Sequence, residues 1–370
     1  MQDEAIYTLA LTRIPGLGLV GACNLVRTLG SASVIFQHRK ELKELVPEIS
    51  ERLIKALDCP EAFQRAEQEL KFAEKNQIQC ITINDAAYPS RLRECEDAPL
   101  ALFFRGNTSM NALRILSIVG TRNATVYGEE LCHSFISDLK ELCPDILIVS
   151  GLAYGIDIHA HRSALQHGFP TVGVLAHGLD RIYPAAHRKT AISMMDRGGL
   201  LTEFMSGTNP DRQNFVKRNR IVAGMSDATL VVESAIKGGA LITAELAESY
   251  HRDCFAFPGR ITDTYSRGCN ELIKNNRASL IISAEDLVES MGWNTSANQL
   301  KEAVQRELFP DLNEEERKIV CLLEKQPEGI QINVLVVEAN IPIHQMSAIL
   351  FELEMKGVVK ALAGGVYRLI

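Results

Sequence analysis

Between residues 80 and 290, short runs of apolar residues alternate with stretches in which apolar residues recur every three or four positions. The runs are ILSIV, ILIV, TVGVLA, LLTEF, ATLVVE, CFAF and SLII. Strands that are hydrophobic throughout are typical of a mainly parallel sheet covered by helices, because both faces of each strand are then buried. The alternation therefore predicts a doubly wound α/β domain over residues 77–293.

The residues on either side of this domain follow other patterns. Apolar residues at helical spacing predict a small helical domain of the SAM or helix-hairpin-helix type over residues 1–76. Its segment IPGLG is either a plain helix–helix turn or a turn that presents free amides to a phosphate. Residues 313–370 predict a winged helix whose two-stranded wing turns at Gly364 and Gly365. The polar residues 294–312 predict a linker.

Charge and composition restrict the classes of function. The net charge of -7 over 370 residues excludes a surface that is basic throughout, so any contact with nucleic acid must come from a local patch. The nine cysteines include no C-x-x-C pair and do not indicate a disulfide framework. The first residues carry two acids and no basic region, and no apolar run approaches the roughly 20 residues that cross a bilayer. We therefore expect a cytoplasmic protein with no membrane segment.

Strand-to-helix turns rich in Gly, Ser or Thr form the candidate site, because the carboxyl ends of parallel strands meet at the edge where ligands bind. Glycine there would let the backbone approach a ligand and turn its amides outward, although such turns favour glycine even without a ligand. The four turns are VGTRNATVYG, VSGLAYGIDIHAH, TEFMSGTNPDRQNFVKRNR and VESAIKGGALITAE.

The third turn carries most of the positive charge. Between residues 208 and 220 it combines one acid, Asp211, with Arg212, Lys217, Arg218 and Arg220. Positive charge at a helix start is mildly unfavourable, so the cluster indicates an anionic ligand, with a solvated helix start as the alternative. Phe215 lies among these charges. An aromatic ring beside arginines suits unstacked bases, and packing onto the following helix is the alternative.

Residues suited to catalysis are few. The chain has no Walker loop, no H-E-x-x-H and no G-x-S-x-G. His159 and His161 are two positions apart on a predicted helix and would point to different sides, so we interpret them as structural. Asp157 is interpreted as the cap of that helix. We expect no metal, no cofactor and no enzymatic activity.

Several motifs, in order along the chain, resemble the DNA-processing protein A family, also called DprA or Smf. They are SIVGTR, SGLAYGID, NFVKRNRIVAGMSDATLVVESA, GGALITAE, FAFPG and GCNELI, and they cover residues 115–282. The resemblance implies an extended Rossmann-like fold. It also implies a homodimer that binds incoming single-stranded DNA, protects it and loads the RecA recombinase on it during natural transformation.

The resemblance implies roles for particular residues as well. Val216 stands where many family members have proline, so the local loop should differ here. Phe215 would contact bases. The residues expected to bind phosphate are Gly120, Thr121, Arg122, Lys217 and Arg218. The further residues expected at the DNA site are Ser150, Gly151, Asn219, Arg220 and Gly239.

The winged helix departs from a DNA-binding pattern. Residues 313–370 hold six basic and eight acidic residues, a net charge of -2. The candidate recognition helix offers Glu352 and Glu354 against only Lys356. Because a helix that enters a major groove should be basic, we expect a protein-contact or regulatory module, with direct DNA binding as the minor alternative.

Two alternatives for the whole protein belong to other classes. A phosphoribohydrolase of the lysine-decarboxylase-like group, acting on nucleoside monophosphates, would carry P-G-G-x-G-T-x-x-E. The corresponding KGGALITAE has Lys237 in place of proline, lacks the third glycine and has Glu245 one position too far along. The other alternative is a scaffold that binds no DNA, in which the basic cluster would have no purpose.

Overall fold

The computed structural model describes residues 2–293, 312–362 and 364–370. The chain divides into two compact units. The first comprises Met1–Ser137 and Asp145–Leu280, and the second comprises Asp138–Pro144 and Ile281–Ile370. The linker expected over residues 294–312 lies outside the described residues except for Leu312.

A nine-stranded sheet forms the centre of the first unit, in the order β1-β2-β6-β5-β4-β3-β7-β8-β9. Strand β2 is antiparallel to both of its neighbours, and every other pairing is parallel. The strands are β1 (Gln79–Thr82), β2 (Ala101–Gly106), β3 (Arg114–Val119), β4 (Ile146–Ser150), β5 (Thr171–Val174), β6 (Gly198–Thr202), β7 (Ala228–Val231), β8 (Asp253–Ala256) and β9 (Ser279–Leu280). The predicted doubly wound sheet is confirmed.

The burial of the strands explains which ones the sequence revealed. Every residue of β3, β4 and β5 is buried, as expected for central strands that are covered on both faces. Strands β1 and β2 were not predicted from the sequence. Strand β1 begins with an exposed and a half-buried residue and is only four residues long, so it gives no continuous apolar run.

Helices precede the sheet in the chain and share its core. They are α1 (Gln2–Leu11), α2 (Leu19–Leu29), α3 (Ala32–Gln37), α4 (Leu42–Leu45), α5 (Glu51–Ala56) and α6 (Pro60–Lys75). One buried cluster joins Leu9 and Cys23 of these helices to Leu201 of the sheet. The helical part is therefore packed onto the sheet as part of the same compact unit, although the expected boundary near residue 76 does follow the end of α6.

The remaining helices of the α/β part follow the strands. They are α7 (Ser90–Arg93), α8 (Val126–Leu142), α9 (Ile156–Gln166), α10 (Arg188–Asp196), α11 (Arg212–Gly224), α12 (Gly239–Ser249) and α13 (Arg267–Lys274). Helices α8, α9, α11 and α12 each begin within one of the four turn segments that the sequence singled out.

The second unit contains the predicted winged helix, which is confirmed. The elements of the second unit are α14 (Ala284–Ser290), which precedes the winged helix, and then α15 (Glu314–Glu324), β10 (Ile330–Gln331), α16 (Ile332–Ala339), α17 (Ile343–Met355), β11 (Val359–Leu362) and β12 (Val366–Leu369). The strands pair in the order β10-β12-β11. The two-residue β10 was not predicted, because it is too short for a periodic signal. This unit has its own core, which includes Ile319, Leu335 and Leu350.

Among the described helices, none is by itself long and apolar enough to cross a membrane. The bent pair α16 and α17 reaches that length and composition only when the two helices are taken together across a bend of 110°.

Candidate nucleic-acid interface

The turn after β3 lies between the ends of two other elements. The amide of Thr121 donates to the carbonyl oxygen of Glu233, just after β7, at 2.7 Å. The carbonyl oxygen of Thr121 accepts from the amide of Ile156, at the start of α9, at 3.1 Å. A β-carbon on Gly120 would collide with the Ile156 side chain. The structure therefore brings the first, second and fourth turns together at one edge, and Gly120 is required by this packing.

Backbone amides of the first turn donate hydrogen bonds to other groups of the protein. In addition to the Thr121 amide, that of Asn123 donates to Thr121 Oγ1 at 3.2 Å, and that of Thr125 donates to Glu233 Oε2 at 2.9 Å. The expectation that this turn directs its amides toward a ligand is therefore wrong for these three groups. An anion at this turn would be bound by side chains, above all by that of Arg122.

Arg122 is exposed at the tip of the first turn. Its guanidinium carbon lies 4.8 Å from the centre of the Phe215 ring, which is cation–π geometry. Within the described residues Arg122 takes part in no ion pair, and the carboxyl group that its charge affects is that of the buried Asp157. The structure thus joins two residues that the sequence analysis had placed in different turns.

Three of the four basic residues in the cluster are not at a helix start, contrary to the sequence interpretation. Helix α11 begins at Arg212 with Asp211 as its N-cap residue, so Lys217, Arg218 and Arg220 lie in its interior. The expected unfavourable interaction with the helix dipole is confined to the first turn and does not apply to them.

The helix also separates the cluster into two faces. Residues three and four positions apart lie on one side of a helix, so Arg218 and Asn219 share the side of Phe215. Lys217 and Arg220 are two and five positions from Phe215, which places them roughly 200° and 140° around the helix axis. Lys217, Arg218 and Arg220 therefore do not form one patch.

Arg218 is only 4% exposed and lies beneath the edge of the sheet. Its Nη1 donates to the carbonyl oxygens of Gly151 and Val174, at the ends of β4 and β5. Its Nε donates to Asn219 Oδ1 at 3.2 Å. Burial lowers the pKa of Arg218 to about 10, against the opposing effect of the nearby Asp157. Arg218 is thus charged at neutral pH, and it holds two strand ends together instead of facing a phosphate.

Residues near Arg218 have structural partners too. Ser150 is fully buried, and its hydroxyl donates to the carbonyl oxygen of Ile118 at 2.6 Å. Asp157 does not cap α9 as expected, since the N-cap residue is Gly155. The carboxylate of Asp157 is buried and accepts a hydrogen bond from the amide of Ala153 at 3.4 Å. Burial raises the pKa of Asp157, and the charge of Arg218 opposes that shift.

The opposite face of α11 carries Arg220 and Lys217. Arg220 is buried, pairs with Glu203 and donates to the carbonyl oxygen of Asp97 at 2.7 Å. Burial raises the pKa of Glu203, while the charges of Arg220 and, to a smaller degree, Lys217 lower it. Arg220 is therefore occupied by carboxylates and does not join Arg122. Lys217 is exposed and available to solvent on this other face.

Asn219 connects α11 to the start of α12. Its Nδ2 donates to the carbonyl oxygen of Gly239 at 3.5 Å. A β-carbon on Gly239 would meet no described atom within 4 Å. Packing inside the protein therefore gives no reason for glycine at position 239, in contrast to Gly120 and to Gly151, where a β-carbon would collide with the Arg218 guanidinium.

Two exposed tyrosines at this edge were missed by the sequence analysis. Tyr183 is 47% exposed, and its ring centre lies 6.1 Å from that of Phe215. Tyr154 is 49% exposed and packs edge-on against His187 at 4.8 Å. A signal for Tyr183 was present, because it lies in the segment that follows the carboxyl end of β5. That segment was overlooked because it carries no Gly-Ser-Thr cluster.

The histidines of α9 have structural surroundings. The hydroxyl of Thr171 donates to the carbonyl oxygen of Ile148 at 3.0 Å, so it must accept from Nδ1 of His161, 2.7 Å away. Burial lowers the pKa of His161 to about 3. Nε2 of His159 lies 3.1 Å from Glu129. Over the described ranges, no group of three or more potential ligands could hold a metal ion.

Comparison with known families gives the identity of the chain. Residues 79–292 match the family described as DNA recombination-mediator protein A, and residues 306–365 match the DprA winged helix domain. The chain belongs to the DprA family. Protein Smf of Escherichia coli is 33% identical over 306 residues, which cover 82% of this chain and 80% of that protein. A DprA relative from Mycobacterium tuberculosis is 37% identical over 243 residues, and the match spans only 62% of the length of each protein.

Two solved structures of DprA proteins resemble this chain. The X-ray structure of DprA from Streptococcus pneumoniae has a TM-score of 0.60 and 30% identity, covering 77% of this chain and 97% of that one. The DprA of Helicobacter pylori has a TM-score of 0.52 and 27% identity, covering 58% and 95% respectively. Its structure is described as showing a single-stranded DNA binding mode.

The family is described as one of recombination mediators, which disfavours the phosphoribohydrolase alternative. The geometry of KGGALITAE agrees. Glu245, the candidate catalytic carboxylate, lies in the second half of α12 and pairs with Arg277 at 3.2 Å.

Proposed function

We propose that this chain is a DprA-type single-stranded DNA-binding protein whose site is the edge formed by Arg122, Phe215 and their neighbours. The observation that supports this most is the exposed Arg122 over the Phe215 ring. A guanidinium group binds phosphate with two parallel hydrogen bonds, and an aromatic ring stacks with an unpaired base. Because a duplex keeps its bases paired inside, this combination favours a single strand.

The surrounding charges favour an anion at this edge. The buried guanidinium of Arg218 places a second positive charge near Arg122, whose charge lowers the pKa of Arg218, while the nearby Asp157 raises it. Lys237 is exposed in the turn that leads to Gly239. The chain as a whole carries a charge of -7, so attraction to DNA is local, and it should weaken strongly with salt.

We extend the proposal to the partners that the family resemblance implies. The protein would protect incoming single-stranded DNA, load RecA on it during natural transformation, and act as a homodimer in the cytoplasm. Light scattering on the purified chain would test the dimer. Strand exchange by RecA, with and without the chain, would test loading.

The decisive experiment measures the anisotropy of labelled oligonucleotides of equal length, one single-stranded and one duplex, at several salt concentrations. We expect tighter binding of the single strand at every salt concentration and a steep fall in affinity as salt rises. Equal binding of the two forms would contradict the proposed site. If neither form binds, the result would favour the alternative that the protein is a scaffold that binds no DNA.

A further inference from the structure

Of the two adjoining rings, Tyr183 and Phe215, Tyr183 has the larger free surface. Phe215 has Arg122 over its ring at 4.8 Å and Arg218 at 5.8 Å, and it is only partly exposed. Tyr183 adjoins Phe215 but is 47% exposed. A ring that already contacts two guanidinium groups has less surface to offer a base than a ring that faces solvent.

Hydrogen bonds fix the backbone that carries Tyr183. Its amide donates to Nε2 of His177 at 3.3 Å. The other ring nitrogen of His177, Nδ1, donates to the carbonyl oxygen of Gly178 at 2.9 Å, so the neutral ring is held at both ends. The exposed position of Tyr183 is therefore held by hydrogen bonds of its own loop.

The same loop is tied to the segment before α11. Asp180 accepts from the amide of Gly207 at 3.0 Å, and Nη1 of Arg181 donates to Oδ1 of Asn209 at 2.8 Å. Asn209 in turn accepts, through its carbonyl oxygen, from Asn214 at 3.0 Å. Since Asn214 directly precedes Phe215, these bonds set the position of Tyr183 relative to Phe215.

The two rings are not arranged to enclose one base between them. A base between two rings needs them nearly parallel and about 7 Å apart, which is twice the ~3.4 Å stacking distance. The Tyr183 and Phe215 rings are inclined at 58° with centres 6.1 Å apart. Each ring therefore presents its own surface in a different direction.

We propose that Tyr183 is a separate base-stacking residue of the DNA site, additional to Phe215. This inference rests on the proposed function. It defines the ligand as a strand with at least two neighbouring unpaired bases, one at each ring, with a phosphate at Arg122. Base stacking is tolerant of sequence, so the site would accept any single strand with bases and would bind a bare phosphodiester backbone less well.

The test compares two labelled oligonucleotides of the same length at one salt concentration. One is oligo(dT), and the other carries abasic sites throughout its central part, which keeps the phosphates and removes the bases. The full-length variants are Tyr183→Phe, Tyr183→Leu and Tyr183→Ala. The control is Phe351→Ala. It removes an exposed aromatic side chain from α17, a helix of the winged helix that contributes no residue to the proposed site.

We expect Tyr183→Ala and Tyr183→Leu to weaken binding of oligo(dT) about 5- to 100-fold, with Tyr183→Phe and Phe351→Ala close to the wild type. Binding of the abasic strand should be the same for all variants. An equal loss on both oligonucleotides, or no loss on oligo(dT), overturns the proposal. The leucine variant keeps apolar packing against Phe215, so it serves if the alanine variant is unstable.

A second comparison separates direct stacking from support of Phe215. In a Phe215→Ala background, Tyr183→Leu should weaken oligo(dT) binding again by a similar factor. No further loss would mean that Tyr183 acts only through Phe215 and would overturn the proposal. Failure of the proposed function looks different, because the wild-type chain would then not bind oligo(dT), or Arg122→Ala would bind it as the wild type does.

Discussion

The guanidinium carbon of Arg218 lies 2.5 Å from the position that a β-carbon on Gly151 would occupy. Glycine at position 151 therefore makes room for a side chain 67 residues further along the chain, which donates to the Gly151 carbonyl oxygen. Arg218 in this position ties α11 to the ends of β4 and β5, and it keeps Phe215, three residues before it, beside Arg122. One buried pair thus supports the exposed residues of the proposed site.

Replacing Gly151 with Ala should destabilise the fold. The β-carbon would displace Arg218 and leave its buried hydrogen bonds unmade, which costs about 2 to 3 kcal/mol in the free energy of unfolding. Gly239→Ala is the matched control, because its β-carbon enters open space at the start of α12. Urea unfolding of both variants checks this. Equal stability of the two would contradict the role assigned to Gly151.

Replacing Arg122 with Ala should weaken single-stranded DNA binding and leave the fold intact. The side chain faces solvent and Phe215, so its loss removes a charge-assisted contact worth roughly 1.5 to 3 kcal/mol, or about tenfold to a hundredfold in Kd. Arg52→Ala, which removes an exposed arginine from α5, is the control for net charge. Anisotropy titrations and melting temperatures would be measured together. Wild-type affinity in the Arg122 variant would remove it from the site.

The sequence predicted the sheet and the winged helix because their apolar periodicities are local. It did not locate the start of α11, although Asp, here Asp211, is a usual N-cap residue. With that start known, the two faces of NFVKRNR follow from helical spacing. The partnership of Gly151 with Arg218 could not be predicted, because it joins residues that are distant in the chain.

The two basic residues on the face of α11 opposite Phe215, Lys217 and Arg220, should behave differently. Arg220→Ala leaves Glu203 buried without its ion pair and should lower the free energy of unfolding by about 3 to 5 kcal/mol. Lys217→Ala should leave stability nearly unchanged. If Lys217 binds a phosphate, its loss also reduces the log–log salt slope of DNA binding by roughly 0.7. Denaturant unfolding and salt titrations of both variants would be compared, and an unchanged slope would exclude Lys217 from the site.

Acid should destabilise the α/β part through His161. Its pKa is lowered from 6.5 to about 3 by burial, so the unfolded chain binds more protons than the native chain between those values. Stability is therefore lost as the pH falls through this window, by up to about 1.4 kcal/mol per pH unit for this one group. His161→Asn, which can still donate to Thr171, should show a flatter dependence between pH 6 and pH 4. If the free energy of unfolding depends on pH in the same way for the wild type and the His161→Asn variant, the prediction is wrong.

The winged helix should contribute little to DNA binding. Residues 332–355, which include α16 and α17, contain three glutamates and no lysine or arginine. The outer side of α17, opposite its buried Met346, Ile349 and Leu353, instead exposes Phe351 and Met355. Such a surface offers no cation to a phosphate, whereas groove-binding helices rely on several.

Removal of residues 313–370 tests this expectation. The winged helix has a hydrophobic core of its own, so its loss should leave the α/β unit folded. We expect the shortened chain to bind oligo(dT) within about twofold of the full chain, with the same salt slope, since none of the proposed phosphate contacts is removed. The full chain should gain no affinity for duplex DNA over the shortened one. A clear loss of duplex affinity on truncation would show instead that this domain binds DNA despite its net charge of -2.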